Sequence, residues 1–176
     1  MKIFASVAIS LAVMSITTQA SKAAAAPAVR AVVKVEKDRK LAPNFELKDA
    51  SGKSVKVSDY RGRVLLVNFW ATWCGGCKVE IPWFQEFETA LGPRQFAVLG
   101  VSVDEEGWAA VIPYVEKTRV TYRMVLADKS TAEDYAVTSM PATFIIDRKG
   151  RIAATYIGLV DKSDIETNIK AVLSKR

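Results

Sequence analysis

Cys74 and Cys77 are the only thiols in 176 residues, and they stand three apart in Trp73-Cys74-Gly75-Gly76-Cys77, where an apolar run gives way to a helical pattern. Cysteines at that spacing on a helix share one face with Cβ atoms roughly 5–6 Å apart, so a slight tightening of the first turn bridges them. Such a bridge opens and closes without unfolding anything. Closing so short a loop restrains the unfolded chain only weakly, which makes stability a poor reason for the pair. The spacing therefore predicts a redox dithiol rather than a structural disulfide.

A cysteine at the start of a helix meets unpaired amides and the positive end of the helix dipole, which favour a thiolate, so Cys74 is the expected nucleophile. Cys77, one turn inside, is expected to be less exposed and to resolve the mixed disulfide. Gly75 and Gly76 bring no charge or hydrogen-bonding side chain to the thiolate, which argues for a mild pKa depression and a reductant. Glu80 continues the three-residue recurrence of Cys74 and Cys77. A carboxylate there is predicted to tune thiol protonation and, if partly buried, to accept the proton of Cys77. The plain alternative is an acidic residue favouring the first turns of a helix.

What the chain lacks narrows the chemistry further. It has no histidine, so a tetrahedral zinc site would need carboxylates for its remaining ligands, and hydrolases of the cysteine or Ser-His-Asp type have no base. Lys78, not histidine, follows Cys77, which excludes c-type haem attachment. Neither a phosphate loop nor a dinucleotide glycine fingerprint follows a strand. The net charge is +6, but the basic residues are scattered rather than gathered into an arginine-rich patch, which disfavours nucleic acid.

The elements that must hold the dithiol are legible around it. Residues 1–26 read as an export signal, with Lys2 as the positive end, an uncharged and mostly apolar run from Ile3 to Ile16, and small residues suited to cleavage at Thr18-Gln19-Ala20 and along Ala23 to Ala26. Retained, the run would be a short anchor. Export would place the thiols in an oxidising, periplasmic or other extracytoplasmic compartment, where a dithiol is kept reduced by a dedicated donor or serves as an oxidant. Residues 27–40 read as a linker, a tether or extended arm, and 41–176 as one domain.

Short strands near Phe45–Leu47 and Ser54–Val57, joined through Ser51-Gly52-Lys53, predict an N-terminal hairpin. Val64–Trp70 reads as a central strand covered on both faces. Ile81, Phe84, Phe87 and Leu91 then mark a crossover helix that stops at Gly92-Pro93. Phe96–Val103 predicts a second buried strand, Trp108–Lys117 a helix, Arg123–Ala127 a strand and Ser130–Ala136 a helical turn. Thr143–Asp147 and Arg151–Ile157 predict strands joined by Arg148-Lys149-Gly150. A last helix carries Ile165, Ile169, Val172 and Leu173 on one face, with Ser163 and Glu166 at capping-box spacing. The alternation makes this an α/β chain of parallel βαβ units.

Asn68-Phe69-Trp70-Ala71-Thr72-Trp73-Cys74-Gly75-Gly76-Cys77, with Pro82 and Met140-Pro141, resembles thioredoxin-fold proteins of the TlpA/ResA/DsbE type. Leu41-Ala42-Pro43-Asn44-Phe45, Tyr60-Arg61-Gly62 and Gly158 extend the resemblance over Leu41 to Leu173. It implies a thioredoxin fold, a central mixed sheet flanked by helices, here with the N-terminal hairpin as an extension. It also implies an exported thiol-disulfide oxidoreductase that reduces partner proteins, such as apocytochrome c or copper-site assembly factors, and is reset by a membrane thiol-disulfide donor. No cofactor beyond the Cys74–Cys77 disulfide, no metal, no nucleic acid and a monomeric state go with that reading.

In the fold the resemblance implies, Pro141 is cis and faces the dithiol, so that the backbone at Met140 pairs with an extended substrate segment. Met140 then contacts substrate or is simply a core methionine, and Trp73 is a substrate-facing aromatic. Thioredoxins carry a buried acid on the preceding strand, where this chain has Asn68, so Glu80 is expected to take over its function. Gly75-Gly76 replaces the proline-containing pair often found between the cysteines, and methionine stands where valine or threonine usually precedes Pro141. Two other classes use the same residues: a Cu(I) carrier with Cys74, Cys77 and Met140 as soft ligands, and a thiol peroxidase, for which no proline and threonine precede Cys74 at the spacing of a peroxidatic loop.

Overall fold

A computed structural model describes residues 27–175, so the expected signal, residues 1–26, lies outside the described residues. Five strands form one mixed sheet: β3 (Val64–Trp70), β4 (Phe96–Ser102), β5 (Arg123–Leu126), β6 (Ala142–Ile146) and β7 (Ile152–Ile157), in the order β5-β4-β3-β6-β7. β3, β4 and β5 run parallel, while β6 and β7 run antiparallel to their neighbours. β1 (Glu46–Lys48) and β2 (Ser54–Lys56) form the expected hairpin, with Leu47 opposite Val55 and Gly52 turning at φ +81°. A positive φ is strained for a side chain and open to glycine.

Strand alternation sorts the core into two layers. Val64, Leu66 and Trp70 of β3 pack with Ile81, Phe84 and Phe87 of α1 (Gly75–Leu91), Val111 of α2 (Trp108–Thr118) and Ile165, Ile169 and Val172 of α4 (Lys162–Leu173). Leu65, Val67 and Phe69 pack on the other side with the hairpin and with Tyr135, which directly follows the short helix α3 (Lys129–Asp134). Every residue of β3 and β4 is buried, as strands covered on both faces must be. Asn68 lies on the α1 layer, between Leu66 and Trp70, and its polar group there needs a partner.

Residues 27–40, expected as a linker, lie against the domain. Val29, Ala31 and Val33 pack on the α1–α4 layer while Val32 is 88% exposed, a period of two. Val29 pairs with Val160, and the Lys34 amide donates to Ala153 O at 2.8 Å, so the arm takes up backbone groups beside the edge strand β7. Arg39 closes it with a buried ion pair to Asp147, Nη1 to Oδ2 at 3.0 Å. The alanine-rich and charged composition hid this, because the apolar side of the arm is only three residues long.

The start of α4 also differs from expectation. Ser163 lies inside the helix, and Asp161 is the cap, its carboxylate accepting from the Asp164 amide at 3.0 Å and the Ser163 hydroxyl at 2.7 Å. Glu166 reaches forward to Lys170 at 2.6 Å instead of back to an amide. A carboxylate at the cap is favoured by the helix dipole over a hydroxyl two residues later.

Candidate active site

Residues 71–74 join β3 to α1, and the turn is closed by the Cys74 amide donating to Ala71 O at 3.1 Å. Cys74 is the N-cap of α1: its backbone is extended, and its Sγ accepts from the Cys77 amide at 3.2 Å. The two sulfurs are bonded, 2.03 Å apart, with Cα atoms 5.3 Å apart. Cys74 keeps 6% of its surface exposed and Cys77 none. Trp73, by contrast, is 65% exposed. Trp73, Val103 and half-buried Met140 line one cleft of about 390 Å³ beside Cys74, with Ala132, Val137, Thr138 and Ser139.

The Met140–Pro141 bond is cis, and Pro141 packs on the dithiol turn. A Cβ built on Gly76 would lie 3.1 Å from Pro141 Cδ, whereas one on Gly75 meets nothing within 4 Å. The two glycines between the cysteines therefore differ: Gly76 permits a close approach and Gly75 does not need to be glycine. We expect Gly75→Ala to stabilise the protein by about 0.4–1 kcal/mol through the unfolded chain. Gly76→Ala is expected to gain nothing, because the overpacking against Pro141 offsets the same term. Urea midpoints of the two variants measure the contrast; equal gains would mean the Gly76–Pro141 contact yields freely.

Glu80 is fully buried, not partly so. Its Oε1 accepts from the Val160 amide at 2.7 Å, and its Oε2 accepts from Asn68 Nδ2 at 3.3 Å. Asn68 Nδ2 also donates to Thr143 Oγ1 at 3.0 Å, while Asn68 Oδ1 has no partner. Burial pushes the Glu80 carboxyl up to about 8, against the opposing pull of the Val160 amide and Asn68. At the strand position where the resemblance expects an acid stands Asn68, and its amide holds Glu80 of α1.

The structure brings Trp73, Cys74 and Cys77 together with Met140 and Pro141 at the C-terminal end of β3, and sets Glu80 one turn deeper along α1. Sequence reasoning missed Thr143, the Val160 amide and Asp104, which holds Thr72. Only Asp104 left a trace, as a polar Ser102-Val103-Asp104 ending to an otherwise apolar strand.

A model of the AhpC/TSA family matches residues 39–155. The chain belongs to that family. It is 32% identical over 132 residues to the thiol-disulfide oxidoreductase ResA of Geobacillus kaustophilus (strain HTA426), covering 74% of this chain and 75% of the relative. The thioredoxin-like protein YneN of Bacillus subtilis (strain 168) is 32% identical over 130 residues, 73% of this chain and 76% of that one. Among solved structures, a thioredoxin-family thiol:disulfide interchange protein from Chlorobium tepidum TLS superposes with a TM-score of 0.69 at 26% identity, covering 77% of this chain and 97% of its own. Fold, dithiol and relatives agree: this is a thiol-disulfide oxidoreductase of the ResA/DsbE kind, acting on disulfide-containing substrates and exchanging electrons with redox partners. No helix among the described residues is long and apolar enough to cross a membrane.

Proposed function

We propose that the protein works outside the cytoplasm as a reductant of disulfides in partner proteins, serving cytochrome c maturation or copper-site assembly, and that a membrane dithiol donor resets it. The observation that carries the reading is the N-cap position of Cys74, where its sulfur receives the Cys77 amide and a thiolate is favoured over a thiol. In the reduced protein the Cys74 thiolate attacks one substrate sulfur, forming a mixed disulfide and releasing the other substrate sulfur as a thiolate. Cys77 then loses its proton and attacks Cys74 Sγ, which frees the second substrate thiolate and closes the Cys74–Cys77 bond. The substrate has gained two electrons, and the donor's dithiol returns them by the same exchange in reverse.

Glu80 takes the Cys77 proton in this scheme. It follows Cys77 at i+3 on α1, is shielded from water, and with its carboxyl pushed up to about 8 its ionised form binds a proton tightly enough to take one from a thiol and release it again. Trp73 and Met140 bracket the incoming substrate segment, with the backbone at Met140 pairing to it. The reduction potential of the Cys74–Cys77 couple, measured in defined thiol buffers, tests the direction of electron flow. A value of about −220 mV or lower fits a reductant, and one of about −120 mV makes the protein an oxidant and overturns the reading.

A further inference from the structure

Asp104 lies two residues past β4 and is only 6% exposed, yet it takes no part in the thiol exchange. Its carboxylate is fully occupied. The Thr72 amide donates to both oxygens at 3.1 Å, the Thr72 hydroxyl donates to Oδ1 at 2.6 Å, and the Ser102 hydroxyl donates to Oδ2 at 2.7 Å. The Asp104 amide donates back to Ser102 Oγ at 3.1 Å, and the Asp104 carbonyl accepts from Gly107, the cap of α2, at 3.0 Å. Asp104 is therefore fixed from both sides before it reaches Thr72.

Burying a carboxylate is costly unless several donors meet it, and the donors here come chiefly from one residue. Closing the chain between β3 and α1 does not need that tie: Val103 N–H to Trp70 O at 3.0 Å and Cys74 N–H to Ala71 O at 3.1 Å already hold both ends of the turn. What the tie adds is a grip on Thr72, the residue before Trp73 and two before Cys74. Trp73 and Val103 both line the cleft beside the dithiol, so a bond from the residue before Trp73 to the residue after Val103 ties the backbone of one lining residue to that of the other. We infer that Asp104, acting through Thr72, is a positioning residue that fixes the shape of the substrate cleft beside Cys74.

The consequence is selective. A protein disulfide must seat its flanking segment in the cleft for Cys74 to reach it, while a small disulfide needs only the sulfur. The test uses the full reduced protein and follows insulin, a protein disulfide, and 5,5′-dithiobis(2-nitrobenzoate), a small one, in Thr72→Val, Asp104→Asn and Thr72→Ser. Thr72→Val and Asp104→Asn are expected to raise KM for insulin by about tenfold or more, as displacements of an ångström do, with the small-disulfide rate within about twofold of the parent. Thr72→Ser, which keeps amide and hydroxyl, is expected to restore parental behaviour toward both.

Parental handling of insulin by Thr72→Val and Asp104→Asn overturns the inference. So does an equal loss toward both disulfides, which is what a merely structural role produces, and so does a Thr72→Ser variant as impaired as Thr72→Val. Thr72 is only half-buried, so Thr72→Val carries the test alone if Asp104→Asn does not fold. The inference rests on Cys74 as the attacking thiol. A Cys74→Ser variant that still reduces insulin sinks that reading whatever the Thr72 variants do.

Discussion

Cys77→Ser is expected to abolish catalytic turnover of protein disulfides, by about 10³-fold or more, while leaving the first thiol exchange intact. Cys77 has no exposed surface, so substrate meets Cys74 first and the mixed disulfide forms as in the parent. A serine hydroxyl at that position stays protonated at neutral pH and is a poor nucleophile toward sulfur, so the adduct persists. Intact-mass analysis after mixing reduced Cys77→Ser with insulin should show the substrate attached through Cys74, and Cys74→Ser should show none. Turnover of Cys77→Ser within tenfold of the parent would mean that external thiols resolve the intermediate and that the pair is not a working couple. A Cu(I) carrier predicts no metal-free disulfide reduction in the parent to begin with.

Glu80→Gln is expected to change the pH dependence of both stability and rate. Burial pushes the folded carboxyl up to about 8, from an ordinary value of 4.5. The fold therefore accepts the protonated form and resists the ionised one. Below pH 4.5 both folded and unfolded chains hold the proton, and the contribution of this site to stability is fully present. Between about 4.5 and 8 the unfolded chain releases the proton and the folded one does not, so stability falls as pH rises, and above 8 the loss levels off. Over that window the difference corresponds to on the order of 5 kcal/mol for a site this deeply buried.

Glutamine cannot ionise and so lacks that slope. It keeps an oxygen for the Val160 amide, and its NH2 can face Asn68 once the Asn68 amide turns its unpartnered Oδ1 toward it, so the variant is expected to fold. Urea unfolding at several pH values should show the parent losing stability relative to Glu80→Gln from pH 5 to 8. The resolving step should also slow by on the order of 10²-fold at about pH 8 and above, where the parent carboxylate is ionised and can take the Cys77 proton. Unchanged pH dependence of both thiols in Glu80→Gln would remove Glu80 from the chemistry, and parallel stability curves would remove the buried charge from the energetics.

The sequence by itself determined whatever depends on neighbours along the chain. Cys74 and Cys77 three apart at the start of a helix, the apolar run Val64–Trp70, the crossover helix ending at Gly92 and the hairpin turning at Gly52 were legible because helical and strand periodicity, capping and turn chemistry act over a few residues. The cap of α4 was misplaced by two residues for a related reason, since Asp161, Ser163 and Asp164 all have side chains that can cap. Residues 27–40 read as a linker because their apolar side is short and its partner surface lies at the other end of the chain.

Tertiary structure alone decided the environment of the thiols. Glu80 meets the Val160 amide across 80 residues, Asn68 meets Thr143 across 75 and Thr72 meets Asp104 across 32. None of these separations has a period that a sequence can display. Spacing put Glu80 on the face of the cysteines, but only the packing of α1 against β3 and the turn after β7 removed its water, and removal of water is what raises its affinity for a proton. The dithiol is a property of local sequence; its proton partner and the grip on its turn are properties of the fold.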